Sequence, residues 1–328
     1  MKLAESEIPR YLTSRILHLI LMPTEACNFR CVYCYEDFKL NRMEPWVVRG
    51  VRRLLTYRAP ELDMLTLSWF GGEPLLARDI IEEILIHVQS LLAGNPSLRF
   101  ASDITTNAYS LTLPVFERMV DLGVTKYQIS FDGPRKWHDK KRVLADGRGT
   151  FDRIWQNVVA LKSVDRSFSI VLRLHVDKEN HPDLPEFIEA CEKAFADDPR
   201  FTLFVRRLSR LGGPNDDKLP ILGAKQGDRI IGSLTRCAEG HRVEKTTMQD
   251  LAPVCYASQG NSFLVRANGR LNKCTVALDH PMNEVGTMRE DGTMEISTPR
   301  ARQWMRGLSS LDPLELECPM VGLAEPSR

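Results

Sequence analysis

From Ile16 to about Leu208 the chain alternates short runs of β-branched and aromatic residues with amphipathic stretches of helical period. The first run, Ile16–Met22, is apolar at nearly every position, the pattern of a buried strand. The pattern predicts strands at Ile16–Met22, Leu65–Phe70, Phe100–Thr105, Lys126–Phe131, Phe168–His175 and Phe201–Arg207. Between them it predicts helices around Pro45–Tyr57, Arg78–Leu92, Leu113–Leu122, Phe151–Lys162 and Asp183–Ala194. Such alternation builds parallel β/α units, and six strands make a partial, open (β/α)6 TIM-like barrel of the α/β class, not a closed barrel of eight. The stretch Gly212–Lys218 marks the exit from that barrel, followed by a helix over Gly227–Arg236 and a hairpin turning at Asn268–Gly269. The expected division is an N-terminal extension over 1–15, the barrel over 16–225 and a small α+β domain over 226–328. A first strand starting by Ile16 leaves no room for an N-terminal peptide-binding winged-helix module.

In parallel barrels the loops after the strands carry the chemistry. The unusual residues fall there: a cysteine loop after strand one, G-G-E-P after strand two, T-T-N after strand three, S-F-D-G-P after strand four and D-K-E-N after strand five. Composition narrows the partners. A formal net charge of +1 over 328 residues gives no electrostatic reason to expect nucleic acid. No apolar run is long enough to span a membrane, and the mixed-charge N-terminus lacks the apolar segment of a secretory signal, so a cytoplasmic location is expected. In that reducing setting seven of the eight cysteines read as metal ligands, not disulfides.

Three of them, Cys27, Cys31 and Cys34, follow the spacing C-x3-C-x2-C. A [4Fe–4S] cube normally takes four thiolates, so a loop offering three leaves one iron open to a ligand from outside the protein. Three ligands of a structural zinc are the competing reading, although such sites usually open with C-x2-C or C-x4-C pairs. Cys191 sits at core spacing on a helix and reads as a buried apolar residue.

The spacing, with Tyr33 just before the last cysteine, resembles the signature of the radical S-adenosylmethionine (SAM) enzymes. That resemblance implies that SAM occupies the open iron and is cleaved to a 5′-deoxyadenosyl radical, which takes hydrogen from the substrate. It implies SAM contacts from Gly71, Gly72, Glu73 and Pro74, which look like the family's G-G-E-P motif, and from Tyr33 packed against the adenine. Thr106, Asn107, Ser130 and Asp132, at the next two strand ends, can bond ribose hydroxyls or adenine edges. The segment S-F-D-G-P-R-K-W-H-D-K-K-R resembles a stretch of the peptide-modifying branch, which assigns Ser130 and Arg142 to SAM, the arginine pairing with its carboxylate. His138 and Asp139, at a loop–helix junction, read as structural and not catalytic. Arg173, inside strand five, points toward the barrel mouth if alternation holds and could reach SAM or substrate.

Cys255, thirteen residues, Gly269, four residues and Cys274 resemble the opening of the SPASM/twitch Fe–S extension. The full form continues with further cysteines, whereas here only Cys318 follows. Cys237, Cys255, Cys274 and Cys318 are four thiolates, enough for one fully ligated auxiliary [4Fe–4S] cluster, with Cys237 supported by no local motif. The expectation is a shortened, twitch-like domain with that single cluster, the rival reading being a piece of a longer chain. The combined resemblance implies an oxidoreductase that matures a ribosomally synthesised (RiPP) precursor peptide by an oxidative crosslink, served by a flavodoxin- or ferredoxin-type electron donor. A sulfatase-maturing, formylglycine-forming enzyme and a small-molecule radical SAM dehydrogenase are the alternatives. Thr275 stands where the sulfatase-maturing group carries an acidic base, and a threonine hydroxyl is a poor base at neutral pH.

Overall fold

The computed structural model describes residues 3–237 and 254–323. All six expected strands form, to within two residues at either end: β1 (Ile16–Thr24), β2 (Met64–Gly71), β3 (Arg99–Thr106), β4 (Val124–Phe131), β5 (Ser169–Val176) and β6 (Phe201–Arg207). The expected helices lie between them as α2 (Pro45–Arg58), α3 (Arg78–Gly94), α4 (Leu113–Asp121), α6 (Phe151–Ala160) and α7 (Leu184–Phe195), preceded by a short α1 (Ile8–Leu12) and interrupted by a short α5 (Arg135–Lys141). Proline stands in the first turn of α2, α4 and α7, where its missing N–H costs nothing. Beyond β6 come α8 (Ala224–Cys237), β7 (Ser262–Val265), β8 (Arg270–Asn272), β9 (Glu284–Met288), β10 (Met294–Ile296) and short helices at Thr298–Met305, Gly307–Ser310 and Pro313–Glu317.

The chain forms two compact units. One takes in residues 1–26, 38–102 and 246–328, as far as these are described, and the other 27–37 and 103–245. In the first, β1 pairs in parallel with β2 from Ile16↔Met64 to Leu21↔Trp69, and its other edge pairs in parallel with β7 from His18↔Ser262 to Leu21↔Val265. With partners on both edges and helices against it, β1 buries Leu17 and Leu19 to Met22, which explains its unbroken apolar run. The remaining strands add antiparallel in the order β7–β8–β9–β10. Gly269 makes the β7–β8 turn at φ 79°, and a Cβ there would lie 2.3 Å from the Trp46 ring, so the position requires glycine twice over. A separate core joins Leu3, Tyr11, Val254, Leu308 and Leu316.

In the second unit β4, β5 and β6 pair in parallel, with Ser130 opposite Arg173 and His175 opposite Arg206. One face of this sheet is aromatic. Phe131 packs on Phe151, Trp155 and Phe187, and Phe195 stacks on Phe201 with ring centroids 4.5 Å apart. By the alternation of strand residues, Gln128, Ser130, Arg173, His175 and Arg206 lie on the opposite face. Val171 and Phe204 share this face, but the gathering of five polar side chains toward one end of otherwise apolar strands suits something other than packing.

Candidate active site

Within the second unit the cysteine loop is stapled down by its backbone. Arg30 N–H donates to Val143 O at 2.8 Å, Val32 N–H to Lys141 O at 2.9 Å and Ala145 N–H to Asn28 O at 2.9 Å. The Arg30 guanidinium turns back to cap the carbonyl of Cys27 at 2.8 Å. Cys27 Sγ accepts the Phe29 N–H at 3.3 Å and lies 3.9 Å from Asn107 Nδ2, which also donates to Asn28 Oδ1 at 2.8 Å. Such donors around a thiolate are the outer shell that a metal-bound sulfur needs. The T-T-N turn that presents Asn107 is held in turn: Ala108 adopts φ 59°, its N–H donating to Thr106 Oγ1 at 3.0 Å and its carbonyl accepting Asn157 Nδ2 at 2.8 Å. Burial pushes the Cys34 thiol up to about 11 and raises Cys31, the latter opposed by the Arg142 charge.

Four polar side chains converge beside this loop. The Tyr33 hydroxyl donates to Asp132 Oδ2 at 2.7 Å, receives Arg142 Nη1 at 2.9 Å and lies 3.2 Å from His175 Nδ1. Burial drives the Asp132 carboxyl up to about 6 against the pull of Arg142 and Lys141. For Arg142 burial works against the charge, but Tyr33, Cys31 and Asp132 outweigh it and its pKa is raised. His175 is held neutral by burial and by Arg173 and Arg142. Arg142 Nε and Asp132 Oδ1 are buried without a hydrogen-bond partner, so the cluster keeps one donor and one acceptor in reserve for a polar ligand. Next to it, Lys141 and Asp177 form a buried ion pair, with Asn180 bonded to the carbonyls of Asp132 and His175.

The G-G-E-P turn belongs to the first unit. Gly71 has φ 123°, and a Cβ on Gly72 would lie 2.5 Å from the carbonyl oxygen of Ala26, the residue before Cys27. Glu73 is fully buried; its N–H donates to Ala26 O at 3.0 Å and its carboxylate caps the following turn through Leu75 N–H at 3.1 Å. One residue earlier, the Glu25 carboxylate pairs with Arg266 at 2.5 Å, both ends buried, and accepts Ala267 N–H at 3.3 Å. In the same unit Cys274 and Cys318 lie near enough to Cys255 to raise its pKa, and Cys318 near enough to Cys274 to raise that one, after burial, which is the largest cause and takes Cys255 up to about 11. Cys255 N–H bonds Leu316 O at 2.8 Å, bringing its segment beside that of Cys318. The Cys274 turn is clamped by the fully buried Asn283, which accepts the N–H groups of Lys273 and Cys274 and donates to the carbonyls of Cys274 and Ala277. The Tyr256 hydroxyl bonds Thr275 Oγ1 at 2.7 Å and Thr275 N–H at 2.9 Å.

Of the residues singled out from the sequence, the structure brings together Tyr33, Asp132 and Arg142, places Ser130 in register with Arg173, and sets Asn107 against Cys27. His138 is fully buried on Thr150, and Asp139 accepts the N–H groups of Thr150 and Phe151, both structural as expected. Cys191 is fully buried. Cys237, exposed, ends α8 in the second unit, while the other three C-terminal cysteines are in the first. Sequence reasoning passed over Arg206, Asn283, Tyr256 and the Glu25–Arg266 pair. Arg206 had a signal, since it continues the every-second-residue polar positions of the strands beside it; the others had none. Among the described residues no three His, Cys, Asp or Glu side chains converge tightly enough for a single metal ion, whereas a cube spreads its thiolates over separate irons.

The fold and a three-thiol loop define a radical-generating Fe–S enzyme class. Residues 21–191 match the model of the Radical SAM superfamily, and the chain belongs to that family. Membership implies a [4Fe–4S] cluster and SAM, and the loop cysteines and the reserved polar atoms of Arg142 and Asp132 suit that pair of groups. The chain is 31% identical to GTP 3′,8-cyclase of Klebsiella pneumoniae over 177 residues, 49% of this chain and 51% of that protein. It is 30% identical to an uncharacterized protein of Methanocaldococcus jannaschii over 173 residues, 52% of this chain and 57% of that one. It thus spans about half the length of the curated relatives it matches. Solved structures resemble it over more of its length: anSMEcpe with AdoMet and the Kp18Cys peptide at TM-score 0.67 and 17% identity, covering 92% of this chain and 84% of that one. Streptococcus suis SuiB bound to precursor peptide SuiA has TM-score 0.57 and 13% identity, covering 98% of this chain and 68% of that one. These likenesses show a mixed α/β fold with a parallel-sheet core, consistent with the partial TIM-like barrel. Among the described residues no helix is long and apolar enough to cross a membrane.

Proposed function

We propose that this chain is a radical SAM peptide maturase that takes a hydrogen from a side chain of a ribosomally synthesised precursor peptide and installs an oxidative crosslink of cyclophane or thioether type. The observation that carries the reading is the gathering of Cys255, Cys274 and Cys318 around a clamped hairpin in a chain that already has a three-cysteine SAM loop. With Cys237 these thiols would hold one auxiliary [4Fe–4S] cluster in a shortened SPASM/twitch domain over 226–328, able to accept the electron that closing a new bond releases. The fold shared with SuiB and anSMEcpe, whose structures contain peptides, supports the substrate class. In this reading Cys27, Cys31 and Cys34 hold the first cluster. Gly71 to Pro74, Tyr33, Thr106, Asn107, Ser130, Asp132 and Arg142 hold SAM, and a flavodoxin or ferredoxin supplies the electron. The test is anaerobic co-expression with short peptides encoded beside the gene, followed by mass spectrometry. Loss of two hydrogens per modification, mapped to linked side chains, is the expected result; an unchanged peptide beside active deoxyadenosine release overturns it in favour of a sulfatase-type protein or a small molecule.

The GTP 3′,8-cyclase relatives favour one second reading, a nucleotide as substrate. Their match covers about half of this chain. Incubation of the reduced enzyme with GTP and SAM, read by chromatography for a cyclised nucleotide, decides between the two.

A further inference from the structure

On the polar face of β4–β6, Arg173 lies between Ser130 on one neighbouring strand and Phe204 on the other, and Arg206 follows two residues beyond Phe204, opposite His175. Both guanidinium-bearing side chains therefore issue from the same face, one residue pair apart. Among the described residues neither makes an ion pair or a hydrogen bond, and Arg173 Nε is buried without a partner. Burial, then the charges of Arg206 and, more weakly, Arg142, bring the Arg173 pKa down to about 10, with Tyr35 and Tyr33 acting the other way. The nearby carboxylate on this face, Asp132, is occupied by Tyr33 and its ionised form is disfavoured. Lys141 and Asp177 neutralise each other. Arg173, its Nε buried and unpaired beside the half-buried Arg206, carries a standing electrostatic cost, and a planar fork donor is the group best shaped to relieve it by gripping a carboxylate.

We infer that Arg173 and Arg206 form an oxyanion-binding subsite on this face that receives a side-chain carboxylate of the substrate. In the reading proposed above Arg142 pairs with the carboxylate of SAM, which leaves this pair for a second anion; the subsite rests on that reading for SAM and for the peptide that carries the anion. A precursor peptide with Asp or Glu next to the modified residue would then be oriented by a bidentate grip before hydrogen is taken.

The test is calorimetric titration of the anaerobic, cluster-loaded protein with N-acetyl-glutamate α-amide, its neutral isostere N-acetyl-glutamine amide, and tripolyphosphate. Each is run with and without S-adenosylhomocysteine, for wild type and for Arg173→Met, Arg206→Met, Arg173→Lys and Arg206→Lys. The expected result is that the glutamyl probe binds about tenfold or more tighter than the glutaminyl one, that either Met variant abolishes the difference and that the Lys variants keep part of it. The Lys variants keep the charge and the stem, so they report on the site even if a Met variant fails to fold. Equal binding of the two glutamine-family probes, or unchanged preference in all four variants, overturns the subsite. Loss of the preference when S-adenosylhomocysteine is bound assigns the pair to the cofactor and overturns it too. Tripolyphosphate bound far more tightly than the glutamyl probe, with dependence on both arginines, overturns the carboxylate and points to a nucleotide phosphate. Because probe binding requires no turnover, an unmodified precursor peptide with intact glutamyl preference overturns the maturase reading alone.

Discussion

Single side chains decide much of how this molecule holds its reactive loops, and Asn283 is the plainest case. It makes four hydrogen bonds to the backbone around Cys274 from a fully buried position. Asn283→Ala would leave those backbone groups unpaired, and the expected loss is about 2–4 kcal/mol, read as a lower denaturant midpoint at unchanged slope. Nothing in the sequence marked this asparagine, because its partners are main-chain atoms that any residue could supply. His18 is different: a histidine inside an apolar run was visible, but its role was not. Its ring nitrogens lie 2.9 Å from Ser68 Oγ and 3.1 Å from Ser262 Oγ, and burial, helped by Lys273, pulls its pKa from the usual 6.5 down to about 4. The unfolded chain takes up a proton there as pH falls through 6.5, while the folded chain resists until about 4, so stability is full above 6.5 and is lost on acidification between the two. Urea unfolding at pH 7 and pH 5 should show wild type losing about 2 kcal/mol more than His18→Gln. Equal losses would mean that the ring is not buried as a neutral base.

Elements were easier to read than their partners. The strand and helix runs survived because period and composition are local properties, so β1 to β6 were recoverable from the pattern alone. The register that sets Ser130 beside Arg173 and His175 beside Arg206 was not, since it depends on how neighbouring strands slide until their apolar faces match. The same limit hid the tie between the strand-one loop and the C-terminal hairpin, where Glu25 and Arg266 form a buried ion pair. Glu25→Gln removes one charge and strands the other, and a loss of about 3–5 kcal/mol is expected from chemical denaturation. A loss below about 1 kcal/mol would show that water reaches the arginine. The short helix α5 was also unforeseen: seven residues, five of them Lys, Arg or Asp, give no periodic apolar signal, yet it fixes Arg142 at its end, where the chain turns toward Tyr33.

At the scale of the whole molecule the cysteine inventory makes the sharpest prediction. A chain with Cys27, Cys31 and Cys34 replaced by Ala should retain about four irons after anaerobic reconstitution, held by the C-terminal thiols. Iron near zero would remove the auxiliary cluster from the proposal. The sequence separated these two cysteine sets cleanly because spacing is written in the chain, whereas the grouping of Cys255 with Cys274 and Cys318 needed the hairpin to fold first. That hairpin begins with β7, which lies in parallel along β1 with His18 facing Ser262. A ribosome therefore releases β1 long before its neighbour exists, and one full row of its amide and carbonyl groups waits unpaired while everything between is made. Any fragment that stops short of residue 262 inherits that bare edge, so trimming the C-terminal segment to study the SAM loop alone would yield a sticky, self-associating product and not a smaller enzyme.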